Sequence, residues 1–203
     1  MDGKMEERGP LIMITGGSRS GKSSLAEELA GRAGGEVVYL ATATVDDAEM
    51  AARVARHRRR RPACWRTVEV PLEVAAAIEQ EGARAVTLLM DSLGMWLTNL
   101  LGSYDGEGAG SQDEQEKIIA GIMAKVQELA VAARQARARV IIVTDEVGLG
   151  LVPPYPLGRL FRDLLGLANQ ELARQADTVY LVVAGLPVVL KGEDLSPSFP
   201  HGD

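Results

Sequence analysis

The sequence predicts an α/β fold, a mostly parallel sheet with helices on both faces. Three observations carry that expectation. Short apolar runs alternate along the chain with stretches of helical periodicity. The first apolar run, Leu11-Ile12-Met13-Ile14-Thr15, leads into Gly16 to Ser23, G-G-S-R-S-G-K-S, and then into a helix starting near Lys22. Two later apolar runs end on carboxylates, one on Asp91 and one, after Thr144, on Asp145-Glu146. Ligands of such sheets bind beyond the carboxyl ends of the strands, so these three features should converge.

Gly16 to Ser23 satisfy G-x-x-x-x-G-K-[ST], the phosphate-binding loop (P-loop) of nucleoside-triphosphate-binding proteins. Glycines let the backbone close around phosphate oxygens with its N–H groups inward. The following helix adds its partial positive charge. Lys22 can reach the β- and γ-phosphates, and the Ser23 hydroxyl can ligate Mg²⁺.

The remaining elements follow in order. Glu36 to Ala41 reads as a second strand, and Asp46 to Arg60 as a helix opened by acidic residues. Arg66 to Val70 reads as a short strand and Leu72 to Gln80 as a helix. Ala85 to Met90 is an apolar strand ending at Asp91. Ser92 starts a helix through Leu101, with Leu93, Trp96, Leu97 and Leu100 on one face. Gly102 to Ser111 is a glycine-rich loop, a lid or an ordinary connection. Gln112 to Ala138 reads as a long amphipathic helix and Val140 to Val143 as a buried strand. Three prolines between Gly148 and Pro156 forbid a regular helix. Leu157 to Gln175 is helical, Thr178 to Val183 a strand, and Leu186 to Leu190 an edge strand. The expected organisation is a flexible extension over 1–10, one nucleotide-binding domain over 11–191, and a flexible tail over 192–203.

Composition narrows the function classes. With 46% apolar residues, the 203-residue chain can bury a full core. A net charge of −6 argues against a dedicated nucleic-acid binder. Cys64 is the single cysteine, which excludes an internal disulfide and suits a reducing cytoplasm. The N-terminal MDGKMEERGP has no apolar signal core, and no apolar run reaches the ~20 residues of a membrane span. A cytoplasmic location is expected.

Two carboxylates compete to hold the metal. Asp91 is favoured because it follows the unbroken run Leu88-Leu89-Met90 directly; Asp145 or Glu146 is the alternative. Asp91 or Ser92 could also cap the helix that follows.

His57 lies among Arg53, Arg56, Arg58, Arg59, Arg60 and Arg61, and it continues an apolar stripe from Met50 and Val54. It reads two ways. One is a structural histidine near a helix C-terminus. The other is a nucleophile: neighbouring cations disfavour the imidazolium, and a neutral ring can attack a nucleotide α-phosphate.

The whole set resembles the bifunctional adenosylcobinamide kinase/adenosylcobinamide-phosphate guanylyltransferase family of cobalamin biosynthesis. The resemblance runs from about Leu11 to Lys191. It rests on T-G-G-S-R-S-G-K-S at Thr15 to Ser23 and D-D-A-E-M-A-A-R-V-A-R-H at Asp46 to His57. R-P-A-C-W-R-T-V-E at Arg61 to Glu69 and L-L-M-D-S-L-G-M-W-L-T-N-L-L at Leu88 to Leu101 follow. T-D-E-V-G-L-G-L-V-P at Thr144 to Pro153 and F-R-D-L-L-G-L-A-N-Q at Phe161 to Gln170 complete it.

The resemblance implies two reactions at one site. Adenosylcobinamide is phosphorylated by ATP or GTP, and GMP then passes from GTP through a GMP-histidine intermediate to give adenosylcobinamide-GDP. It implies that His57 is the guanylylated residue and that Gly17, Ser18, Arg19, Ser20, Gly21, Lys22, Ser23 and Ser24 hold the triphosphate. It places Ala43, Thr44, Val45, Arg61, Pro62, Ala63 and Cys64 at the guanine nucleotide, with Glu69 and Asp91 nearby. It also implies a homotrimer with active sites between subunits. Asp145 departs from the T-N-E-V-G pattern of a relative and adds a negative charge near the phosphates. The kinase base is open among Asp91, Glu69 and Glu146. The competing readings are another P-loop small-molecule kinase, which needs no nucleophilic histidine, and a recombinase-type regulatory ATPase, which forms no covalent nucleotide.

Overall fold

Side chains of a strand point alternately to opposite faces, so a strand that is apolar throughout must be covered on both. A computed structural model describes residues 8–44, 48–83, 86–104 and 111–196, and it places such strands at the centre of the sheet. The chain runs β1 (Leu11–Gly16), α1 (Lys22–Arg32), β2 (Val37–Ala41), α2 (Ala48–Arg60), β3 (Arg66–Glu69) and α3 (Val74–Gly82). It continues through β4 (Thr87–Asp91), α4 (Leu93–Gly102), α5 (Gln112–Gln135), β5 (Arg139–Val143), α6 (Pro156–Gln175), β6 (Thr178–Val183) and β7 (Leu186–Lys191).

The strand order is β3-β2-β4-β5-β1-β6-β7. All pairings are parallel except that of β7 with β6. Leu11, Met13, Leu88, Met90, Val140 and Ile142 face a core shared with α3, α4, α5 and α6. Ile12, Ile14, Leu89, Ile141 and Val143 face the other side, where Leu25, Ala26, Leu29 and Ala30 of α1 cover them. Full burial of one such Leu or Ile contributes about 1.5–3 kcal/mol. The expected helices on both faces are present but unequally shared.

Several boundaries differ from expectation. α5 opens with a capping box between Ser111 and Glu114 but ends at Gln135, short of Ala138. The N–H groups of Arg137 and Ala138 donate instead to the Gly82 carbonyl, at 3.0 and 3.3 Å, which turns the chain into β5. Near both ends, the described residues bond to the rest of the chain. Arg8 forms a fork with both carboxylate oxygens of Asp177, and the Gly9 N–H donates to the Ala136 carbonyl at 2.9 Å. Beyond β7, the Tyr180 hydroxyl donates to Asp194 and accepts from the Leu195 N–H, fixing the chain to Ser196. Burial, foremost, pushes the Tyr180 hydroxyl above its ordinary pKa. The rest of both ends, and the loop over 105–110, lie outside the described residues.

Candidate functional site

At the carboxyl ends of the parallel strands lies a cleft of about 500 Å³. Much of its lining comes from residues at, or just beyond, the ends of strands. β1 leads to Lys22 and Ser23, β2 to Ala41, Ala43 and Thr44, and β3 to Glu69 and Pro71. β4 supplies Asp91 and Ser92, and β5 leads to Asp145. α2 adds Val54, His57 and Arg58, and Arg61 follows it.

The loop after β1 is shaped by its own backbone. A Cβ on Gly16 would stand 2.5 Å from the Val182 carbonyl oxygen and 2.7 Å from Ser20 Oγ. Gly21 takes φ 105°, a conformation costly for any residue with a Cβ. Gly21 is the N-cap of α1 and gives no side-chain cap, and the first turn carries no acidic residue. The first-turn N–H groups are thereby left for an anion. Ser20 Oγ is buried with no hydrogen-bond partner among the described residues. Lys22 Nζ donates to the Gly17 carbonyl at 3.0 Å and pairs with Asp145 Oδ1 at 2.7 Å.

The opposite wall is built on Tyr39. Its ring is buried, and the Arg61 guanidinium lies over it, 3.3 Å from the centroid. Burial, followed by the Asp91 charge, pushes the Tyr39 hydroxyl far above its ordinary pKa; Arg61 opposes this only in part. Arg61 Nε is buried without a hydrogen-bond partner among the described residues, although the residue lines the cleft.

The cleft thus gathers His57, Lys22, Ser23, Ala43, Thr44, Arg61, Glu69 and Asp91. Val45 lies outside the described residues, as do the side chains of Met50, Arg53, Arg56 and Arg60. Pro62, Ala63 and Cys64 are exposed and do not line the cleft. Gly17, Ser18, Arg19 and Ser24 are exposed at the loop, and Glu146, Ser20 and Gly21 also fall outside the lining. Ser23 and Asp91 both line the cleft and are hard oxygen donors, of the kind that Mg²⁺ takes. No cluster of three or more His, Cys, Asp or Glu that could hold a metal occurs among the described residues. An ion there would complete its shell with phosphate oxygens and water, as Mg²⁺ commonly does.

Two asparagines were not foreseen. Asn99 on α4 donates to the Thr42 and Pro71 carbonyls, at 2.7 and 2.9 Å. Asn169 on α6 accepts from the Thr144 hydroxyl at 2.7 Å and donates to the Asp145 carbonyl at 3.0 Å. Each is one polar residue among others in a helical stretch of the sequence, with no signal of what its amide meets.

The parallel sheet, the glycine-shaped loop and its lysine define a P-loop nucleotide-binding protein. A solved ATPase of the type III secretion system of pathogenic bacteria shares the fold at 13% identity and a TM-score of 0.52. That alignment covers 90% of this chain and 57% of the other. Residues 12–190 match the family described as cobinamide kinase / cobinamide phosphate guanyltransferase. The chain is 43% identical to the bifunctional adenosylcobalamin biosynthesis protein CobP of Pseudomonas aeruginosa, over 90% of this chain and 98% of that protein. It is 40% identical to the bifunctional adenosylcobalamin biosynthesis protein CobU of Escherichia coli, over 89% and 99%, and 41% identical to that of Salmonella typhimurium, also over 89% and 99%. The chain therefore belongs to the cobinamide kinase / cobinamide phosphate guanyltransferase family, a family of bifunctional transferases. Among the described residues, no helix is long and apolar enough to cross a membrane.

Proposed function

We propose that this chain transfers the γ-phosphoryl group of ATP or GTP to the aminopropanol hydroxyl of adenosylcobinamide, and then guanylylates the product through His57. In the second reaction the His57 imidazole nitrogen attacks the α-phosphorus of GTP. The α–β phosphoanhydride bond breaks and pyrophosphate leaves. A phosphate oxygen of adenosylcobinamide phosphate then displaces the imidazole, giving adenosylcobinamide-GDP and free His57.

One observation carries this reading: His57 lines the same cleft as Lys22 and Ser23. A nucleotide held by the loop from Gly17 to Ser24 would have its β- and γ-phosphates at Lys22. Ser23 and Asp91 would hold Mg²⁺, whose contribution is charge neutralisation on the transferring phosphates. Arg61, whose Nε has no hydrogen-bond partner among the described residues, and Arg58 would offset the charge that develops on the phosphates. Ala43, Thr44, Val45, Glu69 and the segment from Arg61 to Cys64 would receive the guanosine. The exposure of Pro62, Ala63 and Cys64 is compatible with sites completed by a neighbouring subunit of a homotrimer. We place the enzyme in the cytoplasm and assign catalysis to a single domain over 11–191.

The test is incubation with α-labelled GTP and Mg²⁺, followed by denaturation. Acid-labile, alkali-stable label on the wild type and none on His57→Ala is the expected result. A wild-type protein that takes no label refutes the histidine route.

A further inference from the structure

α4 binds the strand-end loops together through one stripe of groups. At its N-terminus, the main chain of Ser92 brackets Thr42 Oγ1: the Ser92 N–H donates to it at 3.1 Å, and the hydroxyl donates to the Ser92 carbonyl at 2.9 Å. One turn on, the Trp96 indole N–H donates to the Leu72 carbonyl at 2.7 Å. Asn99 follows, and its single amide nitrogen serves two carbonyls on two different loops, Thr42 at 2.7 Å and Pro71 at 2.9 Å. Its amide oxygen lies 3.5 Å from the Thr44 hydroxyl.

The two loops have different cargo. Thr42 to Thr44 is where the chain leaves β2 on its way to α2, which carries His57. Pro71 closes the segment that places Glu69 in the wall. Asn99 is not itself part of the cleft lining. The phosphate loop is moored elsewhere, by the bond of the Gly185 N–H to the Ser20 carbonyl and by Lys22 to Gly17 and Asp145. A carboxamide provides two N–H donors on one nitrogen, which a hydroxyl cannot. Catalysis by a positioned nucleophile is sensitive to placement at the scale of 1 Å.

We propose that Asn99 is a positioning residue that weighs more on guanylyl transfer than on phosphoryl transfer: it fixes the chain where it leaves β2, over Thr42 to Thr44, on the way to the helix that carries His57. This rests on the reading of His57 as the nucleophile.

The test compares full-length Asn99→Asp, Asn99→Gln and Asn99→Ala with wild type in two assays. One is the single-turnover rate of protein labelling by α-labelled GTP. The other is γ-phosphoryl transfer to adenosylcobinamide. Asn99→Asp keeps the shape but replaces both donors with acceptors; Asn99→Gln keeps both donors. Labelling should fall roughly 30- to 100-fold in Asn99→Asp and Asn99→Ala, with the kinase rate falling about tenfold less. Asn99→Gln should restore at least part of the labelling rate. Trp96→Phe removes the neighbouring bond of the same stripe and should lower stability without splitting the two rates. Two rates that fall together in every Asn99 variant, in step with the melting temperature, would make the residue merely structural and overturn the proposal. Full-rate labelling of Asn99→Ala would overturn it while leaving the His57 nucleophile standing. A wild type without label overturns both.

Discussion

Lys22 Nζ stands 2.7 Å from Asp145 Oδ1, so the cation of the phosphate loop is already balanced by a carboxylate of this chain. β5 lies next to β1, and the Glu146 N–H donates to the Gly16 carbonyl at 3.0 Å, which brings the two residues together. The pair has a consequence for binding. A triphosphate reaching Lys22 meets the like charge of Asp145 beside it.

Asp145→Asn should therefore bind nucleotide more tightly when Mg²⁺ is chelated. Asn169 holds the Asp145 main chain, so the local fold should survive the change. The Asp145 side chain is 36% exposed, so water screens much of the interaction. A gain of about 1 kcal/mol, roughly fivefold in Kd, is the expected scale. Titration of a fluorescent GTP analogue in EDTA measures it; weaker binding by the variant would refute the repulsion.

Asn169→Ala removes the acceptor of a fully buried Thr144 hydroxyl and the donor to Asp145. Leaving such groups unsatisfied costs about 1–3 kcal/mol. Urea unfolding should show that loss. The change should also blunt the effect of Asp145→Asn in the double variant, because the two sites act on one strand end.

Gly16→Ala forces a methyl against the Val182 carbonyl. Overpacking of this kind costs about 1–3 kcal/mol, and here the strain falls on the loop itself. Both the melting temperature and nucleotide affinity should drop. A variant with normal affinity would mean that the loop can relax away from β6.

Tyr39 presents a ring face to Arg61, and that face, more than the hydroxyl, should matter. The hydroxyl reaches the Asp91 carbonyl only at 3.4 Å. Tyr39→Phe should keep guanine-nucleotide affinity within about threefold, whereas Tyr39→Leu should lose about 0.5–2 kcal/mol of it. Equal losses in the two variants would assign the effect to the hydroxyl. The high pKa of this buried phenol means that it stays protonated, so its contribution should not vary with pH through the neutral range.

Much of the fold is legible in the sequence for a physical reason. β1, β4 and β5 are unbroken apolar runs because both their faces are covered, and the phosphate loop announces itself by glycines that only a tight turn requires. The order of the strands is not legible, and it is the order that sets Asp145 beside Lys22 while Asp91 lies one strand further from β1. Periodicity alone left His57 ambiguous, since a half-buried ring on a helix stripe serves packing or chemistry equally well. Asn99 and Asn169 were invisible because their partners are main-chain carbonyls, which every residue has. The early end of α5 depends on one carbonyl, that of Gly82, brought close only by the packed fold.

Two anchors bracket the segment that receives phosphate. At its start, Asp177 accepts from the Leu11 N–H at 2.8 Å and draws in Arg8 and Arg134. At its far end, the Gly185 N–H grips the Ser20 carbonyl at 2.7 Å. Ties at both ends restrict the loop whichever ligand it meets, and such restriction lowers the ordering cost that binding must offset.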